Sequence, residues 1–217
     1  MNAEMGNKGV ITGDIIDSKA IRVEWRPRLL EVLQKIAHEL EQFSSLQLEF
    51  FRGDSFQLIV DNPVEALKIA VLLRAGLQGQ TPDESENKWD ARVALGIGKI
   101  EYAAESVVVS DGEAFHNSGC EFDELGKKRL AVRTPWAEVN DELKVSTAFA
   151  DDIISGWSVT QAQVIYLTFL HQLPQREVAA CSNRSIQAVS KLLLIGREAL
   201  IRMYLERYEQ VMNIERR

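Results

Sequence analysis

Apolar residues recur along this chain with two different periods, and the switches between them predict a β-α-β-β-α-β order. Gly9 to Ile16 is an apolar run with little polar interruption, read as a strand buried on both faces. From Arg26 to Phe43 the period becomes helical. Leu29, Leu30, Leu33, Ile36, Ala37 and Leu40 share one face, and Ser44-Ser45 closes the element. Strands come next at 46–52 and 54–61, joined by a tight turn at Gly53-Asp54. Asn62-Pro63 opens a second helix, with Pro63 suited to its first turn. Ala66, Leu67, Ala70, Val71, Leu73 and Leu77 make its buried face, and Lys68 and Arg74 lie off that face. After a polar loop, Trp89 to Ile100 reads as a strand with Ala91, Val93 and Leu95 on one side and Arg92 and Ala94 on the other.

This order is the split βαβ, ferredoxin-like pattern of an α+β domain. Val107-Val108-Val109 reads as a further short strand, and Ser110-Asp111-Gly112 as the start of a helix running from Glu113 to Leu125. Arg129 to Arg133 is another strand, and a short helix near 142–155, ending at Gly156, links this unit to the tail. The tail is different. Thr160 to Leu170 and Gln175 to Cys181 are helices, Ser182-Asn183-Arg184 is a turn, and Ser185 caps a longer helix carrying Ile186, Val189, Leu192 and Leu193. Two helices around a tight turn make a helix-turn-helix pattern. The reading is two units, 1–156 and 157–217.

Charge separates the same two units. The net charge is −7, but residues 157–217 hold 8 Lys and Arg against 5 Asp and Glu. The acidic front repels nucleic acid, so any duplex binding belongs to the basic tail. The two cysteines, Cys120 and Cys181, are too few for a disulfide framework or a zinc ligand set, and Cys181 falls in an apolar helical pattern that assigns it to the core. The segment Met1 to Lys8 lacks the apolar stretch of a signal peptide, and no run approaches a transmembrane span. The expectation is a cytoplasmic protein with no membrane partner.

The candidate chemistry lies at two Gly-Asp pairs. Gly13-Asp14 ends the first strand and Gly53-Asp54 forms the hairpin turn. Carboxylates at the tips of adjacent strands can converge on one point, and Mg²⁺ is commonly held by one or two carboxylates together with substrate phosphates. The alternative is that Gly-Asp is turn chemistry alone.

Four segments carry a family resemblance: Gly13-Asp14-Ile15-Ile16-Asp17-Ser18-Lys19, Gly53-Asp54-Ser55-Phe56-Gln57, Arg92-Val93-Ala94-Leu95-Gly96-Ile97-Gly98 and Asp111-Gly112-Glu113-Ala114-Phe115-His116. With them the first unit resembles the class III nucleotide cyclase fold, and more so the bacterial SatD family. The resemblance implies that Asp14 and Asp54 are metal ligands for Mg²⁺ or Mn²⁺, with the Ile15 carbonyl as a third. It also implies a nucleotide or related phosphorylated ligand, and a homodimer. Cyclases carry an Asn and, four residues on, an Arg on the next helix; here those positions are His116 and Cys120, and the base-selecting Lys is Phe50. Stabilisation of transition-state charge is often the largest catalytic term. A substitute cation would have to be Lys19, Arg52 or Lys99, and no catalytic residue is assigned. Lys19, Arg52 and His116 are the candidate nucleotide contacts.

In the tail, Pro174-Gln175-Arg176-Glu177-Val178-Ala179 and Ser185-Ile186-Gln187-Ala188-Val189-Ser190-Lys191 resemble the region-4-like helix-turn-helix of sigma factors. That likeness implies double-stranded DNA as a partner, with Arg184, Gln187, Ser190 and Lys191 on the DNA-facing side. The combined expectation is a ligand-responsive transcriptional regulator with a metal- and nucleotide-binding sensor domain. The alternative is a metal-dependent nucleotide cyclase or oligonucleotide synthase with an accessory helical domain.

Overall fold

The computed structural model describes residues 6–51, 53–102, 107 and 111–215. The elements in chain order are β1 (Lys8–Ile15), α1 (Arg26–Leu40), β2 (Leu46–Phe51), β3 (Ser55–Val60), α2 (Ala66–Gly79), β4 (Ala91–Gly98), β5 (Ile100–Tyr102) and β6 (Asp111–Gly112). They continue with α3 (Glu113–Glu124), β7 (Leu130–Arg133), α4 (Ala137–Ser155), α5 (Val159–His171), α6 (Gln175–Cys181), α7 (Ile186–Ile195) and α8 (Glu198–Glu215). The main sheet has the order β2-β3-β1-β4-β7. Strand β1 pairs antiparallel with both β3 and β4, which is the split arrangement that the β-α-β-β-α-β reading requires. Strand β7 adds in parallel beside β4. The expected strand at 107–109 falls largely outside the described residues.

The alternation of β1 assigns its two faces. Ile11 and Ile15 join Phe56, Leu58, Val93 and Leu95 in the main core, under α1 and α2. Val10, Thr12 and Asp14 look the other way, toward the side covered by α3. There Val10 and Ile59 pack with Ala114, and the Thr12 and Ser118 hydroxyls share a 2.9 Å hydrogen bond. Helix α3 lies unusually close to the sheet because β4 offers it glycine. A Cβ on Gly96 would stand 2.2 Å from the Ser118 amide nitrogen and 2.3 Å from the Ala114 carbonyl oxygen. The Asn117 side chain then donates to the Ile97 carbonyl at 2.8 Å.

The helical tail packs directly on this layer. Helix α5 lies along α2, so α2 is covered by the sheet on one side and by α5 on the other. One hydrophobic cluster runs from Ile11 and Leu33 through Leu72 to Val164, Val189 and Tyr208. This packing corrects the placement of Arg74. The helical period puts Arg74 off the sheet-facing stripe, yet its side chain is 0% exposed, because α5 and α4 cover what a lone helix would leave in water. Its guanidinium makes paired bonds to Asp90 at 3.0 and 2.8 Å and bonds to Asp151 and Ser155 of α4 at 2.8 and 3.0 Å. Burial pulls the Arg74 pKa down, but the charges and hydrogen bonds of Asp90 and Asp151 push it up further, and the net shift is upward.

The tail departs from its sequence reading in other ways. Cys181 is exposed rather than core, because α6 is short and buries only Val178 and Ala179. The join is a nineteen-residue helix, α4, rather than a short one. Helix α8 has no counterpart in the sequence reading. It anchors the tail through the Tyr208 hydroxyl, which donates to the Pro63 carbonyl at 2.7 Å, and through a 2.7 Å bond between the Tyr204 and Thr147 hydroxyls. Among the described residues no helix is long and apolar enough to cross a membrane.

Removing one partner of a buried ion pair leaves an uncompensated charge. Arg74→Ala is therefore expected to cost about 3–5 kcal/mol of unfolding free energy in urea titrations. Gly96→Ala should cost about 1–3 kcal/mol by pushing α3 off the sheet. Arg22→Ala, at an exposed pair with Glu86, should stay within about 0.5 kcal/mol of the parent.

Candidate functional site

The site forms where β1 ends and the β2–β3 hairpin turns. Gly53 holds the turn at φ +83°, a conformation glycine adopts without steric cost. The register sets Asp14 opposite Ser55, and the Ile15 amide donates to the Asp54 carbonyl at 3.0 Å, so both Gly-Asp segments lie at the same end of the sheet. After β1 the chain turns sharply at Asp17, at φ +51°, and the Ala20 amide closes the turn on the Asp17 carbonyl at 2.8 Å. Asp17 thus lies in the turn that follows the strand. The turn carries Ser18 back toward the hairpin, where its hydroxyl donates to the Asp54 carboxylate.

A pocket of about 280 Å³ opens beside this contact. Ile15, Ile21, Leu29 and Leu30 give it apolar walls, while Ser18, Lys19, Arg26 and Asp54 bring polar groups. Lys19 and Arg26 are exposed, and neither has an ion-pair partner among the described residues. In a chain of net charge −7, two cations without ion-pair partners among the described residues thus stand on one concave, largely apolar surface.

Asp14 belongs to different surroundings. It stands directly across from Arg92 on β4, and the guanidinium grips both carboxylate oxygens, with Nε to Oδ1 at 2.9 Å. The side chains of Asp14 and Arg92 are 19% and 37% exposed. Arg92 also lies over the Phe122 ring of α3, 5.4 Å from its centre. The hydrogen bond that Arg92 donates to Asp14 raises the Arg92 pKa. Asp14 is not among the pocket residues; Ile15, its neighbour on the opposite face, is. Among the described residues no group of three or more His, Cys, Asp and Glu is placed to hold a metal ion. Of the set of Asp14, the Ile15 carbonyl and Asp54 that would hold a shared Mg²⁺ or Mn²⁺, the Asp14 carboxylate is paired with Arg92 in this arrangement.

Of the expected nucleotide contacts, Lys19 lines the pocket and Arg52 lies outside the described residues. His116 is exposed on α3, across the sheet from the pocket, with its Nε2 3.6 Å from the Cys120 sulfur. Two participants escape the sequence reading. Arg26 carries no motif signal, since it reads only as the first residue of an amphipathic helix. Arg92 carries a partial one, because strand alternation puts it on the α3 side and Asp14 on the same side of its neighbour.

In the tail, the Ser185 hydroxyl accepts from the Ala188 amide at 3.1 Å and caps α7. Arg184, Gln187, Ser190 and Lys191 are all exposed. The last three, with Gln175, Ile186 and Leu194, line an open groove of about 540 Å³. Ile186 and Leu194 are 46% and 72% exposed on that surface, which makes it partly apolar.

No family model matches the chain, and no curated protein matches it. Solved structures that align with part of the chain include two nucleotide cyclases. A bacterial light-regulated adenylyl cyclase aligns with a TM-score of 0.43 at 14% identity, over 58% of this chain and 75% of that one. The active GGEEF domain of a diguanylate cyclase from Vibrio cholerae aligns with a TM-score of 0.42 at 13% identity, over 58% of this chain and 83% of that one.

The Asp14–Arg92 pair is bidentate but partly open to water, so its coupling energy is expected to be about 1 kcal/mol or less. A double-mutant cycle with Asp14→Asn and Arg92→Gln, read by urea denaturation, measures it.

Proposed function

We propose that this protein binds a nucleotide or a related phosphorylated ligand in the pocket between the β1 end, the β2–β3 turn and the start of α1. The observation that carries this reading is the pair of cations, Lys19 and Arg26, unpartnered among the described residues, at a pocket whose remaining walls are apolar. Phosphate oxygens match the two cations, since hydrogen bonds between ionised partners are roughly twice as strong as neutral ones. A base or sugar face matches Ile21, Leu29 and Leu30. Asp54 is an acceptor when ionised and pairs with a ribose hydroxyl or an exocyclic amine. Chemistry of the cyclase or oligonucleotide synthase type would need a cation to stabilise charge on the transferring phosphoryl group. His116 and Cys120 stand at the positions where cyclases carry Asn and Arg, and among the substitutes the cations at the pocket itself are Lys19 and Arg26.

Incubation of the full-length protein with each nucleoside triphosphate, with mass spectrometry of products and retained ligand, tests this reading. Retained nucleotide is the expected result, and a new cyclic or linear product would extend it to an enzyme. Lys19→Ala and Arg26→Ala should each weaken retention about tenfold, the scale of one hydrogen bond to a charged group. If no nucleotide is retained by the parent protein, the reading fails.

The second reading is DNA binding through α7, supported by the capped helix and by Gln187, Ser190 and Lys191 on one groove. Ile186 and Leu194 on the same surface weigh against it, as do the few basic residues. Affinity of the full chain for duplex fragments should fall with salt if phosphates are contacted. Lys191→Ala should lower affinity for all sequences alike, whereas Gln187→Ala should change sequence preference. Salt-insensitive or undetectable binding at two ionic strengths removes this reading.

A further inference from the structure

Asp14 occupies the position at which the family resemblance expects a metal ligand, yet its charge is already answered within the fold. Arg92 faces it across the β1–β4 ladder, with two parallel N–H···O contacts to the two carboxylate oxygens. A bidentate arginine–carboxylate pair adds directional specificity to its charge attraction. The guanidinium is also supported from the α3 side by the Phe122 ring at 5.4 Å. A divalent cation coordinated by Asp14 would stand beside the Arg92 guanidinium, and like charges a few Å apart disfavour each other.

Asp54 is oriented differently. Its carboxylate accepts from the Ser18 hydroxyl, and both residues line the pocket with Ile15, which projects to the α1 side of β1. Asp14 projects to the α3 side with Thr12, whose hydroxyl bonds to Ser118. The two aspartates share one end of the sheet but serve opposite faces of it. The positive charge that a phosphate group requires is present in the pocket in another form, on Lys19 and Arg26.

We infer that this protein takes its phosphorylated ligand without a metal ion held by Asp14. Lys19 and Arg26 neutralise the phosphate, Asp54 accepts a hydroxyl or amine of the ligand, and Asp14 serves as the counter-ion that keeps Arg92 in place between β1 and α3. The inference rests on the nucleotide reading above and deepens it, by assigning the counter-charge to side chains.

Calorimetric titration of the full-length protein with ATP and with GTP, in EDTA and in excess Mg²⁺, tests it. The expected result is binding in EDTA, changed by no more than about twofold on adding Mg²⁺. Asp14→Asn should leave the affinity within about twofold of the parent, whereas Lys19→Ala and Arg26→Ala should each reduce it about tenfold. Circular dichroism of each variant verifies that it is folded. A parallel Mn²⁺ titration, read by electron paramagnetic resonance, does not depend on the nucleotide. Mn²⁺ should bind more tightly to Arg92→Gln, whose Asp14 is freed, than to the parent. Nucleotide binding that appears only with Mg²⁺ and is lost in Asp14→Asn would overturn the inference while leaving the nucleotide reading intact. Equal Mn²⁺ affinity in the parent and in Arg92→Gln, abolished in both by Asp14→Asn, would also overturn it. Absence of ATP and GTP binding under both conditions would refute the nucleotide reading and this inference with it.

Discussion

The architecture depends on one buried charge. Arg74 is enclosed by α2, α4 and the segment leading into β4, and moving an ion out of water costs several kcal/mol unless its partners are well placed. The partners are satisfied in turn. Asp90 also accepts from the Ala91 amide at 2.8 Å and from Arg129 at 3.3 Å, and Asp151 accepts from the Arg129 amide at 2.9 Å. Each group comes from a different part of the chain: α2, the start of β4, the start of β7, and α4. The cluster therefore specifies how those elements meet, which a purely apolar contact of similar size would specify less sharply.

The same cluster extends toward the tail. Ser155 donates to Asp151 at 3.3 Å, and Lys88 bonds to the Ser155 carbonyl at 3.0 Å and the Trp157 carbonyl at 2.5 Å. The Trp157 indole in turn donates to the Gly196 carbonyl at 2.7 Å, where α7 ends. Polar contacts thus run from the sheet to the beginning of α8. With α5 lying along α2, they make the tail part of the structure that supports the sheet, whatever else its exposed α7 surface contacts.

At the pocket, the same principle of charge assignment separates two motifs that look equivalent in the chain. Gly13-Asp14 and Gly53-Asp54 have the same dipeptide and the same strand-edge placement. One carboxylate is paired with a cross-strand arginine, and the other faces a pocket beside two cations that have no ion-pair partner among the described residues. The difference lies in the neighbours on each face of the sheet, with Thr12, Arg92 and Phe122 on one side and Ser18, Lys19 and Arg26 on the other.

Local patterning was enough to determine the β-α-β-β-α-β order, the Gly53-Asp54 hairpin, the Ser185 cap and the α6–α7 turn, because strand and helix periods and turn chemistry act over a few residues. It also placed Asp14 and Asp54 at the tips of adjacent strands. Tertiary structure alone decided that Arg74 is buried, that Cys181 is exposed, and that α8 packs on α4, since each depends on which distant element covers a given face. It alone decided the partner of Asp14 as well. Strand alternation tells which side Arg92 faces, but only the β1–β4 register sets it against Asp14 rather than one residue pair away, and that register is fixed by the packing of α3 on Gly96 and of α2 beneath.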